Sequence, residues 1–144
     1  MRVLVLNSHP VEDSFHAALH SQVVEALLTA GHDVDDRDLY TEEFIPVLSR
    51  EERLLYRDTA HNTAGVAVYV ERLRAAEGLI LCLPIWCFGL SAMLKGLFDR
   101  VFCPESPGVC QGSCRVTHFL SGLFILSLRV QIYRTDRCPI ACAA

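Results

Sequence analysis

A chain of 144 residues, half of them hydrophobic, is one domain by length, large enough for a real core and near the low end for a doubly wound sheet. Its net charge of −4 disfavours a nucleic-acid partner, and no apolar run approaches the roughly 20 residues that span a bilayer. The start, Met1-Arg2-Val3-Leu4-Val5-Leu6-Asn7, has too short an apolar stretch for a secretory signal, so the expectation is a cytoplasmic protein without a membrane span.

Arg2 to Asn7 reads as a strand buried on both faces of a parallel sheet. After the loop Ser8-His9-Pro10-Val11-Glu12-Asp13, the residues Phe15, Leu19, Val23 and Leu27 recur at helical spacing, with Ser14 or Asp13 as cap and Gly31 as stop. His32 to Tyr40 reads as a second strand nearer an edge, because Asp33, Asp35, Asp36, Arg37 and Asp38 demand water. Ser49-Arg50-Glu51-Glu52 is a capping box that opens a short helix. Val66, Tyr69, Val70 and Leu73 mark another helix, ending at Gly78.

Leu79 to Leu83 is an unbroken apolar run, and Pro84 ends it, since a proline cannot donate to a central ladder. The groups that follow project beyond the carboxyl end of the strand, the edge at which open α/β sheets bind ligands. Trp86 and Phe88 there suit a wall for a flat aromatic ligand, and Gly89 would let backbone amides come close; equally, both rings could cap the core. Ser91 to Phe102 is a strong helix with Leu94, Leu97, Phe98 and Val101 inward and Lys95, Asp99 and Arg100 outward. Gly96 within it permits close approach of another backbone, although a helix simply tolerating one glycine is the commoner case. Strands and helices alternate, and right-handed crossovers would place the first strand between the second and the third.

The first loop joins a strand to a helix amino terminus, an anion site by its unpaired amides and dipole. His9 and Ser14 could donate to a phosphate there, while Glu12 and Asp13 argue against a highly charged one unless they turn to solvent. A loop histidine is more often merely a surface residue. Neither the glycine-rich dinucleotide fingerprint nor the Walker pattern is present.

Ser8-His9-Pro10 with Ser14-Phe15, Leu83-Pro84-Ile85-Trp86 with Phe88-Gly89, Leu94-Lys95-Gly96, and Asp99-Arg100-Val101-Phe102 together resemble the flavodoxin-like NAD(P)H:quinone oxidoreductase family in order and spacing. The resemblance covers residues 1–102. It implies an α/β, flavodoxin-like three-layer sandwich and a homodimeric flavoenzyme with FAD, or alternatively FMN. NAD(P)H would give hydride to the flavin, which passes two electrons to a quinone. By position, His9, Ser14, Phe15 and His16 match the family's contacts to the flavin phosphate and ribityl chain, although the family usually has asparagine where His16 stands. Pro84, Ile85, Trp86, Cys87 and Phe88 match the loop whose amides hold the isoalloxazine ring, with Trp86 and Phe88 lining the hydride and quinone pocket. The flavin carries the chemistry, so no protein residue is expected to be catalytic, and no nucleophile elbow or metalloprotease motif occurs. Nothing basic adjoins Cys87, which reads as an inert small residue. Because relatives also serve as ancillary subunits of bacterial potassium-efflux systems, the resemblance admits, as the alternative to the enzyme, a catalytically silent regulatory protein or an inactive fragment.

The composition changes after Phe102. Residues 1–102 hold 9 Lys+Arg against 15 Asp+Glu, and residues 103–144 hold 4 against 2, so the balance moves from −6 to +2. Five cysteines, Cys103, Cys110, Cys114, Cys138 and Cys142, fall in this tail. Cys103 to Gly108 reads as a loop, and His118 to Val130 is apolar with no clean period. The two further strand and helix pairs of such a domain are not visible, so the sheet is expected to be incomplete, with an open edge after its third strand that invites aggregation. Bases able to encode Phe102 to Pro107, read from the last base of the Phe102 codon, can give Leu-Pro-Gly-Val-Ala, which is similar to the family's continuation; a one-base deletion would account for the break. The rival reading is zinc on Cys110, Cys114, His118, Cys138 and Cys142, whose spacing is permitted but not distinctive. No metal is the expectation.

Overall fold

A computed structural model describes residues 1–102 apart from 57, 59–61, 63 and 88, together with the strand backbones of Ser113–Leu120 and Leu123–Arg129. The elements run β1 (Arg2–Asn7), α1 (Phe15–Thr29), β2 (Asp33–Asp38), α2 (Arg50–Leu54), a 3-10 turn (Ala64–Val66), α3 (Ala67–Ala75), β3 (Gly78–Cys82), α4 (Ala92–Val101), β4 (Ser113–Leu120) and β5 (Leu123–Arg129). They form one sheet of order β2-β1-β3-β5-β4. β1 is parallel to both β2 and β3, the start of the flavodoxin-like 2-1-3 order, with the first strand between the second and third as expected.

Alternation along the strands divides the core into two layers. Leu4, Leu6, Leu79 and Leu81 face α3 and α4 through Val70, Leu73, Leu94, Leu97 and Val101. On the other face, Val3, Val5, Ile80 and Cys82 pack under Leu19, Val23, Val24 and Leu27 of α1. β2, rich in aspartate, lies at the edge with no fully buried residue.

Local chemistry sets the helix ends. Ser14 caps α1, its Oγ accepting from the Ala17 amide at 3.1 Å, and Gly31 leaves the helix at φ +78°. The Ser49–Glu52 capping box is complete in both directions. α3 stops at Ala75, and Gly78 opens β3 instead of ending the helix.

The structure corrects three further expectations. Gly96 is more than tolerated: a Cβ there would sit 2.1 Å from the Pro46 carbonyl oxygen, so the helix and the Pro46 loop touch backbone to backbone. Arg100 does not face outward. Its side chain is 11% exposed, its guanidinium donates to Glu52 Oε1 at 2.6 and 2.9 Å and to the Ile45 carbonyl at 2.6 Å, and it lies over the Phe44 ring. Finally, β3 does not end the sheet. β5 pairs with it antiparallel, Cys82 opposite Leu123, and β4 pairs antiparallel with β5. The apolar stretch from His118 thus belongs to a hairpin, where parallel strands with crossover helices would have been the family pattern. Cys103 to Gly108 lies outside the described residues.

Candidate functional site

Asn7 and Cys82 are register partners at the carboxyl ends of β1 and β3, so the two loops suspected from sequence leave the sheet side by side. They are also tied together. The Ser8 amide donates to the Cys82 carbonyl at 2.9 Å, and the hydroxyls of Ser8 and Ser91, both buried, are 2.9 Å apart. Since Ser91 caps α4 by accepting from the Leu94 amide, this contact binds the first loop to the helix that follows the second.

The first loop curls on itself. The Val11 amide donates to His9 Nδ1 at 3.1 Å, and the Ser14 hydroxyl donates to the Val11 carbonyl at 2.9 Å while lying 3.1 Å from that same nitrogen. Glu12 and Asp13 are exposed. His9 stacks on His16, ring centroids 5.0 Å apart and planes 23° apart, and its other neighbour is Trp86 at 6.0 Å. The His9 and Trp86 segments therefore form one cluster at one edge. His16 is half-buried, with Nε2 3.1 Å from Asn7 Oδ1. Burial, and then the neighbouring His9, hold its pKa below that of a free imidazole, against the pull of the Cys82 backbone.

The second loop presents Ile85 and Trp86 to solvent, 41% and 47% exposed. Trp86 and Gly89 bridge across a tight turn, the Gly89 amide donating to the Trp86 carbonyl at 3.0 Å. Left-handed backbone falls on Cys87, at φ +49°, and not on Gly89. Phe15, at the first position of α1, is 82% exposed; its place in the apolar periodicity does not put it in the core. Phe88 lies outside the described residues.

Sequence reasoning missed Asn7, Asp38, Ser8 and Ser91 at this edge. Asn7 is buried, and its Nδ2 donates to Asp38 Oδ2 at 2.6 Å. The available signal was a polar residue closing an otherwise apolar strand. Among the described residues no three His, Cys, Asp or Glu side chains converge as a metal site. Cys110, Cys138 and Cys142 of the zinc alternative lie outside the described residues, and for Cys114 and His118 only the position in β4 is described. No helix among the described residues is long and apolar enough to cross a membrane.

This arrangement, a 2-1-3 parallel sheet with two loops meeting at its carboxyl edge, agrees with a family model of the flavodoxin-like fold that matches residues 1–107. The chain belongs to that family, and within it is homologous to NAD(P)H:quinone oxidoreductases. Ribosyldihydronicotinamide dehydrogenase-like protein traD of Penicillium crustosum is 33% identical, the match covering 71% of this chain and 44% of that protein. NAD(P)H dehydrogenase (quinone) 1 of Rattus norvegicus is 31% identical, over 69% of this chain and 42% of that protein. Among solved structures, an NAD(P)H:quinone oxidoreductase from Methanothermobacter marburgensis superposes with a TM-score of 0.63 at 34% identity, over 72% of this chain and 53% of that one. Smu.1420 from Streptococcus mutans UA159 does so with 0.67 at 38%, over 74% and 56%. The chain thus spans about half the length of the relatives it matches.

Proposed function

We propose that residues 1–102 form the flavin-binding part of an NAD(P)H:quinone oxidoreductase that moves two electrons from NAD(P)H through a flavin to a quinone. The cofactor in this reading is FAD, with FMN as the alternative, the working form a homodimer and the compartment the cytoplasm. The observation that carries the reading is the convergence of the His9 loop and the Trp86 loop at the ends of adjacent parallel strands.

The residues present fit such a group. A flavin needs donors for an anionic phosphate and a dry, flat wall for its ring. The α1 amino terminus offers amides, and Glu12 and Asp13 turn away to solvent. His9 Nδ1 lies 3.1 Å from both the amide and the carbonyl of Val11; with the amide as its partner the ring carries its proton on Nε2 and can donate to the phosphate. The Ser14 hydroxyl has both the Val11 carbonyl, at 2.9 Å, and His9 Nδ1, at 3.1 Å, as partners within the loop, so its part is to hold the loop and cap the helix. Ile85, Trp86 and Phe15 are large apolar side chains left uncovered beside this loop, a state that costs hydration free energy until a ligand covers them. Pro84 fixes the exit from β3 that places them there. The flavin, when bound, supplies the hydride chemistry; the chain's residues bind, orient and exclude water.

Purified protein tests this directly. The expected result is a yellow protein that oxidises NADPH in the presence of menadione and loses flavin on Trp86→Ala. A folded but colourless chain that takes up no added flavin would overturn the reading.

A further inference from the structure

The hydrogen bonds around Asn7 fix more than a loop. Asp38 accepts from the Tyr40 and Thr41 amides through Oδ1, at 2.8 and 3.1 Å, and from Asn7 Nδ2 through Oδ2, at 2.6 Å. A carboxylate can only accept, so the amide of Asn7 has one permitted orientation, with Nδ2 toward Asp38 and Oδ1 toward His16. Oδ1 can only accept as well, and His16 must therefore carry its proton on Nε2. The imidazole is oriented by a chain of polar groups that starts at the end of β2, crosses the buried end of β1 and reaches α1. Its outer face carries His9, stacked at 5.0 Å. At His9 Nδ1 the Val11 amide selects the Nε2–H form, while the Val11 carbonyl, also 3.1 Å away, selects the Nδ1–H form.

We infer that His16 is a positioning residue: the Asp38–Asn7 pair locks its ring, and the ring is the platform on which His9 stacks so that His9 Nε2–H points to the anionic end of a bound ligand. His16 then acts through His9 and is not itself a ligand of the phosphate. The inference rests on the flavin site proposed above for what His9 meets, but the lock and the stack are properties of the free chain.

Both can be read without cofactor. In the full-length, 15N-labelled protein, long-range 1H–15N spectra at neutral pH should show His9 and His16 as Nε2–H tautomers, with the six histidines assigned by substitution. Asp38→Asn keeps one oxygen for the two backbone amides and turns its NH2 group to Asn7. Asn7 must then flip, and His16 should switch to its Nδ1–H form. No switch, or an Nδ1–H ring in the parent chain, overturns the lock. For the stack, His16→Phe keeps a flat ring and His16→Asn, the residue usual in the family, removes it. The ring-current shift on the His9 ring protons should survive in the first and vanish in the second, with FMN and FAD binding weakened about fivefold in His16→Asn and much less in His16→Phe. The reverse order, asparagine preserved and phenylalanine impaired, would make His16 a direct ligand and sink the inference. If the parent chain binds no flavin, the proposed function fails while the spectra still decide the lock and the stack.

Discussion

Gly96 of α4 and Pro46 of the loop after β2 are in contact through their backbones, a Cβ on Gly96 falling 2.1 Å from the Pro46 oxygen and 2.6 Å from its Cα. The contact seats the loop against the helix. It leaves Ile45 and Val47 facing solvent, 69% and 72% exposed, and brings the Ile45 carbonyl within reach of Arg100.

Gly96→Ala should therefore destabilise the protein. An alanine gains about 1 kcal/mol in helix propensity, but the methyl can fit only if backbone moves on one side or the other, and such overpacking costs about 1–3 kcal/mol, at the high end for a collision this close. Urea unfolding should show a lowered midpoint; an unchanged or raised one would show that the loop moves away freely.

The Arg100–Glu52 pair joins α4 to the capping box of α2. Its side chains are 11% and 18% exposed, which places the pair well beyond a surface ion pair in worth. Arg100→Met, leaving Glu52 without its guanidinium, should cost about 2–3 kcal/mol, and a double-mutant cycle with Glu52→Gln should return a coupling of about 1–2 kcal/mol. Burial works to raise the Glu52 pKa, yet the Ser49 amide and Arg100 together hold it below the usual value. A carboxylate depressed in the fold contributes stability that is present above its unfolded pKa of about 4.3 and is lost as pH falls through the folded value. Stability measured from pH 5 downward should fall less steeply in Glu52→Gln than in the parent.

His16 gives a separate pH window. Burial and the adjacent His9 lower its pKa, so the unfolded chain binds the proton more readily than the fold. Stability from this group is complete above the unfolded pKa of about 6.5 and declines as pH drops from there toward the folded value. Denaturation midpoints between about pH 7 and 5 should slope downward toward acid in the parent and less so in His16→Asn. Equal slopes would remove His16 as the source.

The two cysteines of residues 1–102 should react differently. Cys82 is buried in β3, and that burial, with Asp36 a lesser contributor, pushes its thiol pKa to about 12; Cys87 is exposed in the Trp86 turn. Brief iodoacetamide treatment of native protein, mapped by peptide mass spectrometry, should label Cys87 and spare Cys82 until the chain is unfolded. Added flavin should slow labelling of Cys87, and unchanged labelling would place the ring elsewhere.

Much of this was legible in the sequence because the signals are local. The run Val3 to Leu6, the Ser14 cap, the Ser49–Glu52 box and the stop at Pro84 each depend on a few neighbouring residues, and each lies where its chemistry demands. What escaped depends on distant partners. Arg100 sits on the polar stripe of α4, and periodicity cannot tell that its long side chain folds back to a carboxylate 48 residues away. Gly96 and Asn7 have meaning only through Pro46 and Asp38. The β4–β5 hairpin did leave a trace: Ser121-Gly122, a two-residue spacer of turn type, separates the two strands. It was obscured by the expectation of parallel strands.

Among the described residues, the pairing of β5 with β3 makes β4 the outermost strand on that side of the sheet, while the opposite edge, β2, carries Asp33, Asp35, Asp36 and Asp38. The two borders are unequal: one repels an incoming strand by charge, and the other, Ser113–Leu120, has a single arginine and no acidic residue. An added strand is therefore opposed by charge at the β2 border and not at the β4 border.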